Sequence, residues 1–193
     1  LLRWATQAEE DQGYEQVFEH LASDGDTYLG GENLLEHLVY ASFQHNLEVL
    51  REKRIQFTKP LDAASFVGSE AFLAPTQAAQ TNSIMLAAKL RPFLEGDASE
   101  RQNFVGQVKL VLIDANGKKQ SCELVFDTDA LDTFLATRIR GGVLAFLSSL
   151  ARLLPELPSN TPIHILLAGN GSRSRHVTAC FATDGELWSE LLR

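Results

Sequence analysis

The sequence predicts an α/β fold, and three observations carry that prediction. Residues 104–126 hold two apolar-alternating runs joined by Asn116-Gly117, a β-hairpin pattern. Residues 34–53 and 130–154 repeat apolar side chains at intervals of three and four, which is helical spacing. Ile163-His164-Ile165-Leu166-Leu167-Ala168 is a near-continuous apolar run that turns at Gly169-Asn170-Gly171 into a polar helix start. A strand buried on both faces of a central sheet has that composition.

Composition narrows the function classes. The 193 residues are 45% apolar and 22% charged, the balance of a folded chain. Seventeen basic residues stand against 25 acidic ones, a net charge of -8. Phosphate contacts need clustered Lys and Arg, so this balance argues against a general nucleic-acid binder. No run approaches the roughly 18–20 apolar residues that span a bilayer. The first ten residues lack a basic–apolar–small signal layout. A cytoplasmic location without membrane attachment is the expectation. Cys122 and Cys180 lie in no C-x-x-C pattern and read as reduced core residues rather than a disulfide. The first residue is Leu1 and the only methionine is Met85, so the chain reads as processed or as a piece of a longer one.

Taken in order, residues 1–12 read as the tail of a strand and a loop. Residues 15–22 read as a short strand around Val17, Phe18 and Leu21. Ser23-Asp24-Gly25-Asp26 is a turn. Leu34, Leu35, Leu38, Val39, Phe43, Leu47 and Leu50 form the stripe of a helix running to about Lys53. Residues 61–75 read as a loop with at most one short helix. Residues 76–90 read as a helix burying Ala79, Ile84, Met85 and Ala88, ended or kinked by Pro92. In the hairpin, Asn116-Gly117 is expected as a type I′ turn, with even-numbered positions facing a core. Asp127-Thr128-Asp129 caps the helix 130–154, in which Gly141-Gly142 marks a kink or a close approach. A proline-bounded loop, 155–162, precedes the 163–168 strand, which makes His164 a core histidine. A helix follows through Val177 and Phe181. Asp184-Gly185 is a turn before a last helical turn with Leu187, Trp188 and Leu191.

Two glycine segments are the candidate site. Gly169-Asn170-Gly171, between a strand and a helix, lets backbone approach a ligand closely, and Arg173 adds a planar cation able to stack on a base or pair with phosphate. It is neither a Walker A loop nor G-x-G-x-x-G, and a tight turn without ligand fits the spacing equally well. Gly30-Gly31-Glu32 opens the first long helix, with Glu32 able to accept from a hydroxyl. A plain helix start with a favourable acidic residue is the simpler explanation of that segment. The five histidines make no i, i+4 pair, and no Cys/His cluster occurs, which argues against a metal site. No Ser-His-Asp arrangement or G-x-S-x-G elbow is present. Glu9-Glu10-Asp11 and Arg51-Glu52-Lys53-Arg54 read as solvated surface.

Taken together, these segments resemble a family. Ser23-Asp24-Gly25-Asp26-Thr27-Tyr28-Leu29-Gly30-Gly31-Glu32-Asn33 resembles a stretch of the DnaK-type heat-shock chaperones. Ile165-Leu166-Leu167-Ala168-Gly169-Asn170-Gly171-Ser172-Arg173 resembles the adenosine motif of the same actin-like ATPases. The helices, hairpin and long helix between them follow the order of the second lobe of that domain. The resemblance implies a partial central-sheet subdomain, residues 1–32 and 127–193, with an inserted helical-plus-hairpin subdomain, residues 33–126. It implies Gly30, Gly31 and Glu32 near phosphates and ribose. It implies Gly169, Asn170 and Gly171 along the adenosine and Arg173 on the adenine. Lys89 is the best match for a basic residue closing the other face of the base, with Arg91 next.

The departures are specific. Asn170 stands where a second glycine is expected, Leu86 and Ala87 where an acidic residue is expected, and residues 60–75 look like extra sequence. The two Gly/Thr-rich phosphate hairpins of such ATPases have no counterpart in this sequence, nor do the first lobe and the peptide-binding domain. The resemblance thus implies ATP or ADP with magnesium in the intact protein, slow hydrolysis there, and a protein client or co-chaperone. The chain alone is expected to bind little nucleotide and to lack catalysis. The alternative is a non-catalytic protein-interaction module on a degenerate actin-like fold.

Overall fold

The computed structural model describes residues 1–23, 25–26, 28–96, 98–157 and 161–182. The elements are β1 (Leu2–Trp4), α1 (Gln7–Glu10), β2 (Gln16–Phe18), α2 (Gly31–His45), α3 (Leu47–Glu52), α4 (Gln77–Glu95), β3 (Gln107–Ile113), β4 (Lys119–Val125), α5 (Thr128–Leu153) and α6 (Arg175–Cys180). Short 3-10 turns fall at Ser69–Ala71, Ala98–Phe104, Leu154–Glu156 and Asn170–Arg173. The chain is mixed α/β, and its strands form two separate antiparallel pairs, β1–β2 and β3–β4. The turns expected around Asp24, Thr27 and Asp184-Gly185, part of the 155–162 loop, and the terminal helical turn with Leu187, Trp188 and Leu191 lie outside the described residues.

The β3–β4 register sets Gln107 opposite Val125 and Ile113 opposite Lys119. Leu112, Cys122, Leu124 and Phe126 are buried on one face, as the alternation requires, while Lys109, Val111 and Glu123 face out. The turn is not type I′. That type needs positive φ at both central residues, and here only Gly117 has it, at 81°. The Asp114 carboxylate shapes a longer loop instead. It accepts from the backbone N–H groups of Asn116 and Lys118, each at 2.9 Å, and from the Gln120 amide at 2.8 Å. The Lys118 N–H and Gln120 hold its carboxyl below the usual range.

α2 packs against α4, α4 lies against β3 and α2 against α5, and all share one core with the hairpin. The helix expected to run to Lys53 breaks at Asn46, which leaves helical geometry at φ -115°. Its side-chain amide donates to the carbonyls of Ser42 (2.7 Å) and Val125 (2.8 Å), and its oxygen accepts from the Val125 N–H (2.8 Å). Helical continuity is given up for a tie to the hairpin. Thr76 caps α4 by accepting from the Ala79 N–H at 3.2 Å. Its inner face is not the expected one: Ala79, Asn82, Leu86, Leu90, Phe93 and Leu94 are buried, while Ile84, Met85 and Ala88 are exposed. Asn82 decides the rotation. Fully buried, it donates to the Gln56 and Ile113 carbonyls and accepts from the Ile113 N–H, all within 3.0 Å. Pro92 does not end α4, which continues to Glu95. The hydrogen bond that proline forfeits is to Ala88, on the exposed side of the helix.

Asp127 caps α5 by accepting from the Ala130 N–H at 3.0 Å. Leu131, Leu135, Ile139, Val143 and Leu147 form its buried stripe, and Phe146 stays exposed. An 18-residue window of α5 reaches a mean hydropathy of 1.3, long and apolar enough to cross a membrane by length and composition. That corrects the expectation that no segment approaches such a span. Gly142 is the close approach read from the glycine pair: a Cβ there would lie 1.9 Å from Leu29 Cδ2. Phe43 centres the core, with the rings of Tyr40, Phe57, Phe66 and Phe72 within 6.3 Å. Residues 60–75 lie across α2, where the Tyr40 hydroxyl donates to the Ala64 carbonyl at 2.7 Å.

The predicted central strand is absent. Residues 161–168 have no regular structure, and Ile163, Leu166 (90%) and Leu167 are exposed. His164 is exposed too, not a core histidine. Among the described residues no strand pairs with this run, and without ladder hydrogen bonds an apolar sequence does not become a strand.

Candidate glycine-lined site

The two glycine segments, far apart in sequence, meet in space. Gly30 is the N-cap of α2, in extended geometry and without a side-chain cap. The N–H groups of Gly31, Glu32 and Asn33 therefore stand in the first turn with no backbone acceptor among the described residues. Gly169 turns the chain at φ 83°, a conformation that favours glycine. Asn170–Arg173 then forms one 3-10 turn, tightened by the Ser172 N–H and hydroxyl, which both donate to the Gly169 carbonyl (3.2 and 2.7 Å). Gly171 lies against Gly31. A Cβ on Gly31 would sit 3.1 Å from the Gly171 nitrogen and 3.4 Å from its Cα, and a Cβ on Gly171 would sit 3.4 Å from the Gly31 Cα. The contact is backbone on backbone, and neither neighbour can swing aside.

A cavity of about 450 Å³ opens at this junction, with Gly30, Gly31 and Gly171 at its rim and Ile139, Val143 and Phe146 of α5 beneath. Its walls join apolar surface to unpaired N–H groups and the positive end of a 15-residue helix.

The structure redistributes the flanking residues. Arg173 is exposed and makes no hydrogen bond or ion pair among the described residues. Asn170 joins the same turn, but Gly171 makes the close contact. Lys89 is not the basic residue that reaches this site. Its ammonium lies 5.8 Å from the Phe104 ring centroid, on another side of α4. Arg91 reaches instead, pairing with Glu32 at 2.9 Å and with Glu95 at 3.0 Å. Arg91 is two positions along from Lys89, and on a helix that is a rotation of about 200°. Glu32 is thus engaged by Arg91 and not free.

Two hubs that motif reading missed stand beside the glycine turns, both fastened to α5. Asp132 receives Arg175, His176 (2.8 Å) and, at 3.6 Å, Arg101. Arg138 donates to the Tyr28 carbonyl at 3.3 Å and lies near Asp26 (3.8 Å) and Asp62 (3.5 Å). Asp62 also binds His37 at 2.8 Å and Asn33 at 3.3 Å. Burial pulls the Asp62 carboxyl upward, but the bonds from His37 and Asn33 outweigh it and leave the group below the usual range. Charged residues in an otherwise apolar helix were the one sequence signal for these hubs. Among the described residues no group of three His, Cys, Asp or Glu is placed to hold a metal ion. Cys122 and Cys180 are free, and burial pushes both thiols up.

Comparison of the chain with protein-family models, with curated proteins and with solved structures returns no match in any of the three.

Proposed function

We propose that this chain forms the adenosine-side wall of a nucleotide-binding domain of the actin-like, DnaK-type ATPase kind, without completing catalysis by itself. The observation that carries the reading is the backbone contact of Gly31 with Gly171. Two segments singled out separately as ligand-approach turns share one junction, beside an uncapped helix N-terminus and the unengaged cation Arg173. In this reading the N–H groups of residues 31–33 hold phosphate oxygens. The Arg173 guanidinium stacks on the base, and Glu32 accepts from a ribose hydroxyl once Arg91 yields it. ATP supplies the phosphoryl group in the intact protein. We assign no magnesium ligand to this chain, and the Gly/Thr-rich phosphate hairpins have no counterpart in its sequence. A complementary lobe, a client or a co-chaperone would act with it.

A second reading, a non-catalytic interaction module, is favoured by one observation: the exposed apolar run at Ile163, Leu166 and Leu167, whose backbone has no partner among the described residues. Amide spectra of the isotope-labelled chain titrated with adenosine and ADP at millimolar concentration separate the two. The nucleotide reading expects weak, saturable shifts at residues 30–33 and 169–173, reduced at least fivefold in affinity by Arg173→Ala. Shifts that Arg173→Ala leaves unchanged would overturn the adenine assignment, and no shifts at either turn would leave the interaction module standing.

A further inference from the structure

We propose that α5 acts as a gauge that sets the gap between the two glycine turns, with Arg138 and Asp132 as its positioning residues. The inference rests on the nucleotide reading for its consequence but not for its geometry. Neither residue lines the cavity, yet each grips the chain next to one turn. Arg138 binds the Tyr28 carbonyl and faces Asp26, while Asp26 itself accepts from the Tyr28 N–H at 2.8 Å. This fixes the chain two residues before Gly30. Asp132 binds Arg175 and His176, which fixes the chain two residues after Arg173.

A third contact lies between them in purpose. Leu29 fills the space that a side chain at Gly142 would need, seating the residue before Gly30 directly on α5. From Asp132 to Gly142 the helix advances about 15 Å. All three grips belong to one rigid element. A helix is stiff along its axis, so the separation of its anchor points is inherited by the loops it holds. Loops held only by the Gly31–Gly171 contact could slide, because that contact has no side chain to interlock. Arg138 is also shared with Asp62, which binds His37 and Asn33 of α2. Removing Arg138 therefore frees the start of α2, and removing Asp132 frees the 3-10 turn. The two losses should be local and separate.

The test compares Arg138→Met, Asp132→Asn and Asp132→Glu with the wild-type chain, and uses Glu9→Gln as a control ion-pair loss in the β1–β2 hairpin. In the ligand-free chain, amide shifts and hydrogen exchange at residues 28–33 and 169–174 report each turn separately. Expected results are displaced signals and faster exchange at 28–33 for Arg138→Met, and at 169–174 for Asp132→Asn, with Asp132→Glu restoring the latter. Adenosine and ADP binding should weaken about fivefold in either of the first two variants, the scale of one ordinary hydrogen bond. Glu9→Gln should change neither turn. His176→Gln offers a milder cut at the same hub if Asp132→Asn folds poorly, with smaller displacement of the same signals.

Unmoved turns in Arg138→Met and in the Asp132 or His176 variants would overturn the gauge. So would displacement spread evenly over the whole chain, or no recovery in Asp132→Glu. If wild-type protein binds neither adenosine nor ADP, the nucleotide reading falls while the ligand-free signals still decide the gauge.

Discussion

The stretch from Leu34 to Leu147 and the segments on either side of it are built differently. Every buried apolar residue of the described chain lies within that stretch. Residues 1–33 and the described part of 148–173 contain none. The middle closes its own core: α2, α4, the hairpin and the inner stripe of α5 share one cluster, and two of its buried polar side chains, Asn46 and Asn82, are satisfied by backbone partners. The flanks expose Trp4, Phe18 and Leu166 at 74%, 85% and 90%. The β1–β2 hairpin is held by hydrogen bonds and an ion-pair net rather than by burial. The lesson is that the middle specifies itself, while the flanks carry apolar surface that their own packing does not cover. The glycine turns sit at the boundary of the two.

If that contrast is right, stability should respond to the middle far more than to the flanks. Phe43→Ala, which empties the centre of the aromatic cluster, should cost about 4 kcal/mol in urea unfolding. Asn82→Ala takes the partner from three half-buried backbone groups and should cost about 3 kcal/mol by the same measurement. Gly31→Val forces the α2 start away from Gly171 and should cost about 1–2 kcal/mol. It should also displace the amide signals of residues 169–173. Leu166→Ser should stay within about 0.5 kcal/mol of wild type, because nothing packed is lost. A Leu166→Ser cost as large as that of Phe43→Ala would erase the distinction between the regions.

The smallest expected effect is confined to the β1–β2 hairpin and depends on pH. Arg3, and then the Thr6 backbone and hydroxyl, hold the Glu9 carboxyl down at about 2 from an ordinary 4.5. A depressed carboxyl contributes stability that is present above its unfolded value. It is lost as pH falls from about 4.5 through about 2. The Glu9 side-chain carbon signal should therefore titrate near pH 2. Exchange at the Thr6 amide should quicken over that range, and the core amides of α2 and α4 should not follow. A midpoint near 4.5 would show that the Arg3–Glu9 pair does not form in solution.

Much of this was legible from the chain. The hairpin, its inward face and the cap at Asp127 follow from short-range rules, since each depends on neighbours within a few residues. The turns at Gly30 and Gly169 were legible as turns for the same reason. The Asp127 cap cluster and Gly142 were also read, though not that Leu29 fills the place of the missing side chain. Glu9-Glu10-Asp11 read as bare surface because its partner Arg3 is bound across a turn. The inner face of α4 was misread because Asn82 counts as polar until its three backbone partners arrive from two other segments.

Local pattern thus fixes where helices start and which hairpin face is apolar, because those outcomes depend on interactions spanning a turn or a pleat. The break at Asn46, the passage of α4 through Pro92 and the choice of Arg91 over Lys89 depend on which groups from distant segments come within hydrogen-bonding reach. So does the fate of residues 163–168. Their composition favours a strand, but a strand exists only when another supplies its ladder, and among the described residues none does. The meeting of Gly31 with Gly171 belongs to the same class. Neither glycine carries a side chain to announce its partner, and only the packing of α2 and the 170–173 turn against α4 and α5 brings the two backbones together.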